Sequence, residues 1–180
     1  LQTNTTANDN TALGASAMSA NTTGHSNVAV GSSALADQTT GHSNTAVGMY
    51  SLTGVTEGFY NVGIGFQAGD SITTGDYNTV LGSNALNVCT TGGNNTVLGS
   101  HSATALTDGI GNTITGMVSA IALTTGDYNN TLGYGAGYAI TTGNENICIG
   151  SSAGLHLTTG SNNVAIGGNA LNGATTVGNQ

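Results

Sequence analysis

The chain has 180 residues, a formal charge of −8, and no lysine, arginine, proline or tryptophan. Because affinity for phosphate comes from lysine and arginine, this composition argues against nucleic acid and anionic lipid surfaces as partners. No apolar run reaches the roughly 20 residues of a membrane-spanning helix. The opening LQTNTTANDN has neither an initiating Met nor the pattern of a signal peptide, so we expect a mature product or a fragment.

A seventeen-residue repeat runs from Ala7 to Thr176. Its ten copies start at residues 7, 24, 41, 58, 75, 92, 109, 126, 143 and 160, with no insertion or deletion. Position 16 of the repeat is Thr in every copy, and position 7 is Leu, Val or Ile in every copy except the seventh, which has Thr115. Positions 4 and 8 are invariant and supply two sets of candidate structural residues: Asn10, Asn27, Asn44, Asn61, Asn78, Asn95, Asn112, Asn129, Asn146 and Asn163; and Gly14, Gly31, Gly48, Gly65, Gly82, Gly99, Gly116, Gly133, Gly150 and Gly167.

Short fixed periods are typical of solenoids, in which each unit buries its apolar face only against its neighbours. Seventeen residues are too few for two helices, and Gly, Asn and Thr disfavour helix, whereas Val, Ile and Thr favour strands. The sequence therefore predicts an all-β fold: a parallel β-solenoid of ten turns, stacked about 4.8 Å apart in one domain over residues 1–180. The lack of Pro agrees, because each turn needs its backbone donors.

Each invariant residue has a predicted role in this coil. Asn at position 4 is expected to form an internal ladder of side-chain amides between turns. Gly at position 8 is expected at a corner that requires positive φ or a close approach of two backbones. In the strand between them, we expect positions 5 and 7 to point into the coil and position 6 to point outward. Since position 6 is never charged, it is expected to form a contact surface joining a parallel homotrimer.

Along the chain, residues 1–6 fit positions 12–17, so the coil is expected to begin in mid-turn. Turns one to three carry small residues such as Ala12 and Ala29, turns four and five bring aromatic residues, and turn seven is the most divergent. The last residues, 177–180, leave the register. We expect both ends to lack a cap.

The strings NVAVG (27–31), NTAVG (44–48), NICIG (146–150) and NVAIG (163–167) resemble the head repeats of YadA-like trimeric autotransporter adhesins. The longer string TTGSNNVAIGGNAL (158–171) resembles repeats of phage tail-fibre-like and bacterial surface proteins. This resemblance implies a trimeric, left-handed β-roll. The turn is longer here than in the adhesin heads, and Lys and Arg are missing.

Titratable residues offer few ligand sets. His25 and His42 share position 2 on successive turns and are expected to stack, either as a weak metal site or as plain surface rings. Asp76 and Asp127 lie three turns apart, about 14 Å, which is too far for one calcium ion. Cys89 and Cys148 lie four turns apart, about 19 Å, so no disulfide is expected. We expect no cofactor, no metal and no catalysis.

Three aromatic residues, Phe59, Tyr60 and Tyr77, are candidates for contact with a glycan. Ice binding is a further hypothesis, because regular Thr columns on solenoids bind ice when Thr occupies positions i and i+2. Here the Thr-rich positions 16 and 17 are adjacent, so only one column can face outward.

These observations favour a structural fibre segment of a tail fibre or bacterial adhesin, located outside the cell, on a cell surface or on a virion. Its expected partner is itself, as a homotrimer, with a cell-surface glycan as a further candidate. The alternative is a self-assembling filament whose copies join end to end. Glycan binding and ice binding rank third.

Overall fold

The computed structural model describes residues 3–173 and shows an all-β parallel solenoid with a seventeen-residue period, which confirms the predicted fold class. One ten-stranded sheet holds the strands in chain order. Strand partners lie seventeen residues apart, as Thr11 and Val28 do. The predicted start at Leu1 and loss of register at 177–180 lie outside the described residues. The strands are β1 (Thr11–Leu13), β2 (Val28–Val30), β3 (Thr45–Val47), β4 (Val62–Ile64), β5 (Thr79–Leu81), β6 (Thr96–Leu98), β7 (Thr113–Thr115), β8 (Asn130–Leu132), β9 (Ile147–Ile149) and β10 (Val164–Ile166).

The rest of each turn bends through left-handed residues at positions 3, 10 and 12. Across the described part of the chain, all thirty residues at these positions have φ between 48° and 70°, and twenty-five of them are not glycine. This conformation costs an L-residue roughly 1–2 kcal/mol. Bonds between turns hold it in place: the N–H of Ser33 donates to the carbonyl of Ala15 at 2.8 Å, and that of Met18 to Ala34 at 3.0 Å.

The Asn residues at position 4 form a hydrogen-bonded ladder through the interior. The side-chain oxygen of Asn78 accepts the backbone N–H of Asn95 at 3.1 Å, and its side-chain NH₂ donates to the carbonyl of Gly92 at 2.9 Å. The same pair of bonds recurs from Asn10 to Asn146. Each Asn therefore binds the turn that follows it, and Asn61, Asn78 and Asn95 stand in one column.

Glycine at position 8 lies where two backbones approach closely. Gly99 has φ of +148°, and a Cβ placed on it would lie 2.4 Å from the carbonyl oxygen of Gly116 in the next turn. Such a contact is far inside van der Waals distance, so the corner excludes every side chain. The same clash recurs from Gly14 to Gly150 and explains Gly in these nine copies, whereas Gly167 has positive φ but no described heavy atom within 4 Å of the added Cβ.

A second corner converges on the carbonyl of Thr at position 16. The carbonyl of Thr39 accepts the backbone N–H groups of Thr22, Thr23 and Gly24 at 3.0, 3.2 and 3.3 Å, and the hydroxyl of Thr22 at 3.0 Å. The hydroxyl is thus bonded to the neighbouring turn. Invariant Thr supplies this extra bond between turns.

The expected strand orientation was wrong. Position 6 is buried from Ala29 to Ala165, whereas positions 5 and 7 are exposed or half-buried in every strand. The reason is the alternation itself: Asn at position 4 points inward, so position 6 must point inward as well. A trimer contact along position 6 is therefore ruled out.

The interior is a narrow apolar column formed by positions 6, 11, 12 and 15. Small residues dominate positions 6 and 11, while position 15 is apolar from Val55 onward. The largest fully buried side chains include Leu35, Leu52, Ile114 and Leu123. The small residues at position 6 are core residues because the coil leaves little room between its walls.

Candidate functional site

The outward side chains at positions 5 and 7 of β1–β10 form one continuous strip, which we call the sheet face. Position 7 is aliphatic in nine of the ten strands. Leu81 is 47% exposed, and Leu13 and Ile166 at the two ends are 66% exposed. Apolar groups so arranged in a regular strip are typical of an interaction surface.

Charge is excluded from the sheet face. None of the residues at positions 5, 7 and 9 is charged in any of the ten copies. All eight acidic residues lie at positions 2, 3, 13, 14 and 17: Asp9, Asp37, Glu57, Asp70, Asp76, Asp108, Asp127 and Glu145. In a chain without lysine or arginine, the sheet face is thus a surface that a second copy can approach without facing like charge.

A shallow depression of about 220 Å³ interrupts the sheet face at turns seven and eight. Thr113, Thr115 and Asn130 line it together with Leu132 and Ile149. Thr115 is the one non-aliphatic residue at position 7, and Asn130 is the one amide at position 5. We call Thr113, Thr115 and Asn130 the polar notch.

Five rings form an aromatic cluster at positions 2 and 3 of turns two to five. The rings of His25 and His42 are parallel within 1°, with centroids 4.9 Å apart, and Phe59 continues this stack 5.1 Å beyond His42. Tyr60 and Tyr77 form a second stack at 5.1 Å. Phe59 meets both tyrosines edge to face. The structure thus brings the three predicted glycan-contact residues together.

The geometry of the cluster limits how it could hold a sugar. Tyr60 and Tyr77 stack on each other, so one face of each ring is covered and neither ring offers both faces to a sugar. The two tyrosines are about half exposed, at 49% and 52%. Sugar binding here would therefore use the exposed part of each ring together with its hydroxyl group.

The acidic residues at position 2 serve the backbone. A carboxylate oxygen of Asp76 accepts the N–H of Phe59 at 2.9 Å, and one of Asp127 accepts the N–H of Ile110 at 2.8 Å. Within residues 3–173, no group of three or more His, Cys, Asp and Glu side chains is placed to hold a metal ion.

Both cysteines are free thiols with fully buried side chains, so the predicted absence of a disulfide is confirmed. Burial raises the pKa of Cys89 to about 11, with a smaller contribution from the negative charge of Asp108. Burial likewise raises the pKa of Cys148 to about 11. Neither thiol is poised to act as a nucleophile at neutral pH.

Sequence reasoning missed the sheet face, because it assigned the aliphatic positions 5 and 7 to the interior. The Asn at position 4 carried the needed signal, since an inward Asn fixes the direction of every later residue in the strand. In the sequence, the only sign of the polar notch was Thr115, the one non-aliphatic residue at position 7.

Comparisons with known proteins give no relative. No family model matches the chain, and neither the curated proteins nor the solved structures contain a significant match. The described residues contain no helix with the length and apolarity needed to cross a membrane.

Proposed function

We propose that the chain is a segment of an extracellular structural fibre, of the kind found in tail fibres and surface adhesins. In this proposal, parallel copies associate side by side through the sheet face as a homotrimer. The observation that carries it is a charge-free strip along ten strands, aliphatic at position 7 in nine of them, on a chain whose acidic residues all lie elsewhere.

The coil itself has the properties of a stiff rod. Every turn is joined to the next by strand bonds, by the Asn ladder and by the Thr corner. The lack of Lys and Arg leaves no cleavage site for trypsin-like proteases. A rod of this kind suits an extracellular role in which shape and persistence matter.

The size of the sheet face is enough for a trimer. Ten strands spaced about 4.8 Å apart, each three residues long, give roughly 480 Å² per copy. Three such faces would bury about 1,400 Å², at the lower end of stable protein interfaces. A trimer places three such strips around one axis.

The test is the molecular mass in solution, measured by light scattering and sedimentation equilibrium. We expect a trimer, and we expect Leu81→Asp to dissociate it because the substitution places a charge in the middle of the strip. Val88→Asp is the matched control: Val88 lies in the same turn and is 40% exposed, but it is off the sheet face. A monodisperse monomer of the unmodified chain at high concentration would contradict the proposal.

Electron microscopy separates the fibre segment from the end-to-end filament. Discrete rods of one length favour lateral association. Open-ended polymers that persist in the Leu81→Asp variant favour the filament, because that contact would not use the sheet face.

The aromatic cluster supports glycan contact as a second candidate function. Titration calorimetry with oligosaccharides should show binding that Tyr60→Ala and Tyr77→Ala both abolish, since these two hydroxyl-bearing rings are about half exposed. Tyr138→Ala, at an exposed tyrosine on another part of the surface, should leave binding unchanged.

Ice binding finds less support. The sheet face does present positions i and i+2 outward, yet Thr occupies both of them only in β7, as Thr113 and Thr115. Absence of thermal hysteresis at high protein concentration would remove this hypothesis.

A further inference from the structure

A repeat that recurs without change creates a difficulty for lateral association. Two parallel copies shifted by one turn still face each other over nine of their ten strands. At position 7, nearly every contact is then replaced by an equivalent one, since nine of the ten residues are aliphatic. Position 7 without its exception at Thr115 would therefore barely distinguish aligned copies from copies shifted by one turn.

The polar notch is the feature that breaks this equivalence. It combines the one hydroxyl at position 7, Thr115, with the one amide at position 5, Asn130, on neighbouring turns near the middle of the C-terminal half. Thr113 adds a second hydroxyl beside Thr115 on the same strand. The depression around them holds about 220 Å³ and is lined mainly by apolar atoms, so these few polar groups stand out within it.

We propose that the polar notch sets the axial register between parallel copies of this chain. The proposal rests on lateral association through the sheet face and specifies how that association is aligned. The occupant of the notch is the notch of a second copy, at zero axial offset. The hydroxyls and amides of the two copies then meet each other.

A shift of one turn changes these contacts for the worse. Thr115 would face Leu98 or Leu132 of the second copy, and in one direction Asn130 would face Ile147. The side-chain NH₂ of Asn130 has only a long bond to the carbonyl of Tyr128, at 3.4 Å. Burying the Thr115 hydroxyl and the rest of the Asn130 amide without partners should favour the aligned state by about tenfold to a hundredfold. A single polar position that fixes register at an apolar interface follows the same logic in coiled coils.

Register also decides whether an assembly closes. Copies at zero offset around one axis form a closed oligomer of fixed size, whereas staggered copies leave overhanging strips that recruit further copies. Loss of the notch should therefore turn discrete oligomers into staggered polymers.

The test compares two double variants on the sheet face. Thr115→Val with Asn130→Val removes the notch. Thr79→Val with Thr96→Val removes two hydroxyls at position 5 of neighbouring strands and leaves the notch intact, which makes it the matched control. All these side chains lie on the outward face of the strands, and circular dichroism shows whether each variant keeps the β-solenoid.

The readout is the distance between spin labels. Ser151→Cys, an exposed site at position 9, takes the label selectively, because Cys89 and Cys148 are buried. With the notch present, and in the control, we expect one narrow distance and one oligomer size. Without the notch, we expect distances spread by steps of about 4.8 Å along the axis and a mass that rises at least tenfold with concentration.

Three results would overturn the proposal. One is the same narrow distance with and without the notch. Another is a broad distribution in the unmodified chain. The third is staggering in the control as well, which would mean that any hydroxyl on the sheet face sets register. A monomeric unmodified chain is a different failure, because it removes lateral association altogether.

Discussion

Turns one to three and turns six to nine fill the same interior in opposite ways. In the early turns, position 6 is Ala and position 12 is large. In the later turns, position 6 is the larger residue and position 12 is Ala or Gly. The early pairs are Ala12 with Met18, Ala29 with Leu35, and Ala46 with Leu52; the later pairs are Val97 with Ala103, Ile114 with Ala120, Thr131 with Gly137, and Cys148 with Gly154.

Positions 6 and 12 share one space. A Cβ on Gly63 would lie 2.6 Å from Cγ of Leu52, and a Cβ on Gly154 would lie 2.6 Å from Sγ of Cys148. Position 12 thus shares space with position 6 of its own turn or of the next turn, so in turns one to three and six to nine a larger residue at one position accompanies a smaller residue at the other. The backbone corners, by contrast, are identical in both regions.

The largest effect on stability is expected from disrupting the glycine corner at position 8, which both regions share. Gly99→Ala should cost more than about 4 kcal/mol or prevent folding, because its Cβ would lie 2.4 Å from the carbonyl oxygen of Gly116. Gly167→Ala is the control: its φ is +115°, but no described heavy atom lies within 4 Å of the added Cβ. Urea unfolding followed by circular dichroism measures both. Equal losses would show that φ, and not the clash, requires glycine.

Breaking the Asn ladder should come next. In Asn95→Ala, the N–H of Asn112 and the carbonyl of Gly109 lose the Asn95 side chain as a partner in the interior. At about 1–3 kcal/mol for each, the free energy of unfolding should fall by about 2–5 kcal/mol. Asn94→Ser, at the exposed neighbouring residue, should change it by less than about 0.5 kcal/mol. A small loss in Asn95→Ala would mean that water replaces the amide.

The shared volume can be tested by a double-mutant cycle. Leu52→Ala should cost about 2–5 kcal/mol, and Gly63→Ala about 1–3 kcal/mol through overpacking. Together they should cost at least about 1 kcal/mol less than the sum, because the truncated Leu52 makes room for the added methyl group. Leu52→Ala with Gly154→Ala, whose two sites lie six repeats apart, should be additive. Additivity in the first pair would refute the shared space.

The thiol at position 6 of turn nine gives the later turns a pH dependence that alanine would not have. The pKa of Cys148 is raised from 9.0 to about 11, so the folded state favours the protonated thiol. The contribution of this thiol to the free energy of unfolding is fully present below pH 9. It is lost as the pH rises toward 11, by an amount on the order of 2 kcal/mol. Unfolding of Cys148→Ala should depend less on pH between 9 and 11 than unfolding of the unmodified chain. Parallel pH profiles would contradict the burial of this thiol.

The smallest effect concerns a strained corner in turn seven. Val118 has φ of +52°, an unfavourable conformation for a β-branched residue. Val118→Asn should raise the free energy of unfolding by about 1 kcal/mol and the melting temperature by about 2–4 °C, since Asn tolerates this region. Asn84 already occupies the same position with φ of +55°. Val118→Ala, which lacks the side-chain amide, should gain less.

The period predicted the fold because inter-turn contacts recur every seventeen residues, and invariant Asn and Gly mark where side chains or backbones meet. Orientation was also encoded, since Asn95 points inward and Val97 follows two residues later. Aliphatic content misled that inference because the outward strip is itself apolar. The left-handed positions could not be predicted: Tyr60, Glu145 and Val118 share no residue chemistry, and contacts with adjacent turns impose their conformation.

The same reasoning applies to the candidate sites. The aromatic cluster could be predicted because identical positions stack, so Tyr60 and Tyr77 had to be neighbours. The angles between the rings could not, because they depend on side-chain torsions. The polar notch could not be predicted either, because the sequence analysis placed positions 5 and 7 in the interior. Thr115 and Asn130 are surface residues only because these positions point outward.

The forward direction of the Asn ladder has a consequence for biosynthesis. The side chain of Asn27 donates to Gly41 and accepts from Asn44, both of which leave the ribosome after it. Each newly translated turn therefore completes the bonds of the one before it. At a translation rate of about 5–20 residues per second, one turn emerges about every 1–3 s, so the solenoid can form turn by turn during translation.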